Sequence, residues 1–154
     1  MGVSKARSIR AKKEGRVQHL YTLLCNYAFA EADSGRYSFF GVFQNIEIDQ
    51  EPGSIPQFYI AVGVRGEPGI ELQLAISNAA GDWQRRLPKG TIPETPGGTA
   101  EDRLPVAMVV MVLPNFEFPT AGDYEVRLLE AGELVHAAPF RVRLVERQDV
   151  SESR

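Results

Sequence analysis

Two histidines, one cysteine and a scatter of loop carboxylates are the side chains of this chain best suited to act as ligands, nucleophiles or proton carriers. Their spacing argues against each of those roles. His19 and Cys25 share strand parity but lie six residues apart, roughly 20 Å at about 3.3 Å per residue, too far for a thiol–imidazole dyad within one strand. Cys25 follows Leu23 and Leu24 and reads as a small buried hydrophobe. His136 stands far downstream, and no His-x-His, His-Glu-x-x-His or Cys-x-x-Cys spacing offers zinc a ready ligand set. Asp49, Glu51, Glu94, Glu101 and Asp102 could meet at one end of a fold and bind calcium, but their spacing does not match a D-x-D-x-D-G loop, so they read as solvated carboxylates. No G-x-S-x-G, phosphate loop or dinucleotide fingerprint is present, and the glycines of "GVRGEPG" and "PGGT" serve turns. The expectation is a non-enzymatic protein with no catalytic, metal or cofactor-binding set.

The elements that would have to position any site are strands. Eight strand-like segments follow one another: 19–27, 36–48, 57–65, 70–78, 83–87, 104–113, 123–130 and 133–146. In "IELQLAISN" the residues Ile70, Leu72, Leu74 and Ile76 alternate with polar or small neighbours, the period of a strand with one buried face. Gly41 interrupts an aromatic run and predicts a bulge or a close backbone approach. Residues 88–103, with three prolines and three glycines, read as a long loop, either functional or mobile. No crossover helix is legible, so an antiparallel sandwich is favoured over a parallel sheet.

In "VAMVVMVL" every residue is apolar, so both faces of that strand are apolar where an exposed face should carry polar groups. Met108, Val110, Met111 and Val112 are therefore candidate interface residues, covered either by the 88–103 loop or by another chain.

The ending "FPTAGDYEVRLL" resembles the last hairpin of immunoglobulin-like modules, in which a Gly-x-Tyr at a strand start returns its hydroxyl to the preceding corner. The resemblance makes Tyr124 that tyrosine and Gly122 the turn residue. Val126 stands where antibody domains have cysteine, so no inter-sheet disulfide follows, and Trp83 is not assigned as the buried core tryptophan. With "LLCNYA", "GRYSFFGVFQNI" and "SIPQFYIAV", the body from about 19 to 145 also resembles a family of small bacterial all-β proteins of unknown function. That resemblance implies an all-β, antiparallel immunoglobulin-like β-sandwich of about 7–9 strands and brings no active site.

Charge divides the chain. The net charge is −3, and six basic residues against Glu14 alone give +5 in residues 1–16, which leaves −8 on the rest. Residues 1–16 are expected to be a disordered basic arm or an upstream extension of a body starting at Val17, residues 17–147 the sandwich, and 148–154 a disordered tail. An arm of this charge could contact phosphates, but the acidic body opposes nucleic acid, which is not expected as a partner. "LYTLLCNYAFA" carries an A-x-A site, yet His19, Thr22 and Asn26 break its apolar core, and no segment approaches the about 18 apolar residues of a membrane span. With a single cysteine, a cytoplasmic protein is expected. The function expected is an interaction module, binding an unknown protein partner or forming a homo-oligomer. The alternatives are a nucleic-acid-associated protein using the arm, and a small-ligand binder or enzyme with the 88–103 loop as lid.

Overall fold

The computed structural model describes residues 16–34, 36–93 and 106–146, which form nine strands and, among the described residues, no helix. They are β1 (Val17–Ala30), β2 (Tyr37–Phe43), β3 (Asn45–Ile48), β4 (Gly53–Gly66), β5 (Glu71–Asn78), β6 (Gln84–Thr91), β7 (Val106–Phe118), β8 (Gly122–Glu130) and β9 (Glu133–Leu144). One sheet has the order β2-β1-β4-β7, and the other has the order β3-β9-β8-β5-β6.

Alternation decides which residues meet between the sheets. From the first sheet come Leu24, Phe58, Ile60, Val62 and Val64, and from the second Leu72, Leu74, Ile76, Val126, Leu128 and Val142, all buried. Burying each such side chain contributes about 1.5–3 kcal/mol, so this seam of aliphatic side chains is the main source of stability. At one end the core turns aromatic: Phe118 lies 5.2 Å from Tyr124 and 4.8 Å from Phe116, and Trp83 sets its edge against both Phe116 and Tyr124.

The strand order is that of an immunoglobulin-like sandwich. The β9-β8-β5 trio and the facing β4–β7 pair occupy the positions of strands G-F-C and B-E in that fold. At the start of β8 the Tyr124 hydroxyl donates to the Thr120 carbonyl at 2.6 Å, the geometry of a tyrosine corner. Gly122, with φ of 145°, takes the turn before it.

Several boundaries differ from the sequence reading, each for a physical reason. Segment 36–48 is two strands: Gln44 breaks it, sending β2 to one sheet and β3 to the other, where β3 runs parallel to β9. The expected loop at 88–103 starts later, because β6 continues through Pro88 and Gly90 to Thr91, an excursion an edge strand tolerates. Ile92 then pairs with Ile70 through the backbone and is buried. The stretch after residue 113 is strand, not loop. β7 passes through Pro114 and Asn115 (φ 46°), and Phe116 and Phe118 enter the core with Glu117 outside. Trp83, unassigned from sequence, is partly buried against the core. Residues 1–15, 94–105 and 147–154, which hold nearly all of the arm, the rest of the expected lid and the tail, lie outside the described residues.

Candidate functional site

The outer face of the second sheet is charged, as a solvated sheet face should be. Glu71 pairs with Lys89 at 3.4 Å, Glu125 with Arg127 at 2.6 Å and Asp123 with Arg141 at 3.0 Å. The outer face of the first sheet is built differently. Because Leu24, Ile60 and Val62 point inward, the alternate residues of the same strands point out, and in register they form rows across the sheet. One row reads Val42, Cys25, Tyr59, Val112; the next reads Leu23, Ala61, Val110; a third reads Tyr21, Gly63, Met108. Not one of these side chains is charged. Phe40 and Tyr27, also cross-strand partners, extend the face beyond the first row, and Phe29 continues it.

Large side chains stand beside small ones on this face. Tyr21 lies over Gly63 so closely that a Cβ at residue 63 would sit 2.3 Å from its ring. Leu23 is paired with Ala61, and Tyr59 with Cys25. The pairing levels the surface: Ala61 and Cys25 are fully buried, although they point away from the core. Desolvation pushes the Cys25 thiol above its ordinary value, against a smaller opposing effect of the Tyr27 backbone, and desolvation also raises Tyr21. A covered thiol with a raised pKa is a poor nucleophile. The protruding residues are aromatic or branched: Phe40 is 54% exposed, Val42 55% and Val112 50%. Tyr27 meets Tyr59 edge-on at 5.4 Å, and Phe29 stacks with Phe40 at 5.7 Å.

Of the four candidate interface residues, Met108, Val110 and Val112 lie on this face, while Met111 turns inward against the core with Val109. The sequence reading missed the β1 and β2 share of the face. Its signal is one parity of each strand, Leu23, Cys25, Tyr27 and Phe29 on β1 with Phe40 and Val42 on β2, which carries no charge where a wet face should. Gly41, with φ of 63°, brings its backbone against the Asn26 side chain, as the close approach expected there requires.

Away from this face, His19 on β1 and His136 on β9 stack across the gap between the sheets, ring centroids 3.6 Å apart and planes 7° from parallel. His19 Nε2 shares a 2.7 Å hydrogen bond with Thr22. Burial, then the nearby His136, lowers the His19 pKa from its ordinary value, against a smaller opposing effect of the Tyr21 backbone. Parallel rings cannot both aim in-plane lone pairs at one ion, and among the described residues no three His, Cys, Asp or Glu side chains come together in a metal-binding group. Asp49 and Glu51 flank the β3–β4 turn, whereas Glu94, Glu101 and Asp102 lie outside the described residues. Among the described residues no helix is long and apolar enough to cross a membrane.

A family model described as a family of unknown function (DUF6941) matches residues 20–143. Among solved structures the chain is similar to the Pseudomonas fluorescens alkylpurine DNA glycosylase AlkC bound to DNA containing an abasic site analog, at 11% identity and a TM-score of 0.47. That match covers 83% of this chain and 30% of the glycosylase, so the chain spans less than a third of that protein's length. It is also similar to an immunoglobulin-like protein from Pseudomonas aeruginosa, at 13% identity and a TM-score of 0.42, covering 84% of this chain and 98% of that one. A comparison with curated proteins finds no match.

Proposed function

We propose, for a chain that belongs to the family of unknown function DUF6941, that it is a non-enzymatic interaction module whose docking surface is the outer face of the β2-β1-β4-β7 sheet. The partner is a protein presenting a flat apolar sheet face of its own. One observation carries this reading: rows of uncharged side chains run unbroken across the sheet, while the opposite face of the same sandwich is laced with ion pairs. A patch of this extent on a monomer marks an interaction site, and tyrosine, phenylalanine and methionine are the side chains enriched where proteins meet. A levelled surface has no concavity to hold a small ligand, and the lack of cations within the rows disfavours nucleic acid there.

The test compares two full-length variants by proximity labelling in the source cell. Phe40→Asp/Val112→Asp charges the face at two exposed positions, and Glu71→Ala/Glu125→Ala alters the charged face. Both should keep the wild-type circular dichroism spectrum. Loss of specifically labelled neighbours, a differently tagged second copy of the chain counted among them, with the first pair and retention with the second is the expected result; an identical neighbour set for both pairs refutes the reading.

A further inference from the structure

We infer that the partner on this face is a second copy of the same chain, packed sheet to sheet about a two-fold axis that runs along the row Val42, Cys25, Tyr59, Val112. The inference rests on the docking role proposed above and names its occupant.

Area is the first argument. The most exposed apolar side chains of the face are Tyr27, Phe29, Phe40, Val42, Val106 and Val112, each 38–56% exposed. With aromatic side chains offering roughly 150–250 Å² each when free, these six present on the order of 500 Å². The half-buried residues between them extend this toward the about 800 Å² per partner that a stable interface buries. A flat sheet face finds a matching flat face in its own copy, and sheets pack face to face at about 10 Å.

Charge is the second argument, and it fixes the axis. Two charged side chains bound the apolar face along β4 and β7, one at each end. Arg65 points outward opposite Val106, half-buried, and its buried Nε has no hydrogen-bond partner among the described residues. Glu117 points outward opposite Ser54, exposed, between the inward Phe116 and Phe118. Midway between the Arg65 and Glu117 levels lies the Tyr59–Val112 row. A two-fold axis in the plane of the face, perpendicular to the strands and through that row, stacks β4 on β4 and β7 on β7 with their ends exchanged. Arg65 of each copy then reaches the Glu117 end of the other, so both ends of the interface close on opposite charges. An axis parallel to the strands would instead leave each charge at the same end as its own equivalent, which is repulsive.

Closure is the third argument. The opposite face is charged, so face-to-face packing uses up the one apolar sheet face that the described residues of each copy present, and assembly stops at an isologous dimer.

Sedimentation equilibrium of the purified full chain at high-micromolar concentration, with no other protein present, tests the inference. A dimer mass is expected, and a strict monomer overturns it. If the monomer appears while Phe40→Asp/Val112→Asp still abolishes labelling in cells, self-docking fails and the docking reading stands; if both results are negative, both fail. Two further variants test the axis. Arg65→Glu or Glu117→Arg alone should weaken the dimer about tenfold, the effect of setting like charges opposite each other, and the two together should restore it. Val112→Cys, on the axis, should be joined to its own equivalent by a bismaleimide cross-linker of about 10 Å span, because facing sheets hold the two Cα atoms too far apart for a direct disulfide. Failure of both the charge-swap restoration and the Val112→Cys cross-link overturns the proposed geometry.

Discussion

Replacing Tyr124 with phenylalanine removes one oxygen atom and leaves the ring in its place among Trp83, Phe118 and Phe140. The lost interaction is the 2.6 Å hydrogen bond to the Thr120 carbonyl. A hydrogen bond of this kind contributes a net 0.5–1.5 kcal/mol, and leaving its acceptor buried and unpaired costs more. The net loss should be about 1 kcal/mol, the middle of that range. In a domain of this size that lowers Tm by about 2–4 °C. Urea denaturation followed by fluorescence should show an earlier midpoint with an unchanged slope, since the surface exposed on unfolding is the same. Tyr124→Ala, which also empties the ring's place in the aromatic end of the core, should cost about 3–5 kcal/mol, and the gap between the two variants separates ring from hydroxyl. A Tyr124→Phe protein within about 0.3 kcal/mol of wild type, well below the usual worth of such a bond, refutes the corner as a structural tie.

Gly63→Ala should destabilise by about 1 kcal/mol, since its Cβ displaces the Tyr21 ring; the cost should largely vanish on a Tyr21→Ala background, and additive effects refute the coupling. His19 has a depressed pKa in the folded state, so the unfolded chain binds more protons as pH falls through about 6.5. Stability should therefore be level above neutrality and decline below that value, and His136→Ala should flatten the decline; equal slopes in guanidinium titrations at several pH values refute this. Native Cys25 should react with a thiol reagent only on unfolding, being fully buried with a raised pKa; prompt stoichiometric labelling refutes that burial.

What the sequence made legible was whatever depends on neighbours along the chain. Alternation in 70–78 and 124–128 marks β5 and β8 because one face is buried and the other wet, and the Gly122–Tyr124 spacing marks the corner. What it hid depends on partners far away. Gln44 is one residue, yet it moves the chain from one sheet to the other, and nothing local distinguishes that from a continuing strand. Pro114 and Asn115 look like the start of a loop, but the edge position of β7 lets them sit inside a strand. The outer face needed cross-strand register: Leu23, Ala61 and Val110 are ordinary apolar residues until pairing sets them in one row. The meeting of His19 with His136 is likewise a product of sheet facing sheet, invisible at a separation of more than a hundred residues.

The parallel pairing of β3 with β9 bears on how the sandwich carries load. The ladder extends from Arg141 N–H on the Gln44 carbonyl to Val145 N–H on the Ile48 carbonyl. Tension between Gln44 and the C-terminus slides these two strands along each other, so the evenly spaced bonds of the ladder resist together and do not open one by one as in a pulled hairpin. Forced unfolding is governed by a rate and not by an equilibrium, and a load applied between these two points meets the clasp before the rest of the second sheet.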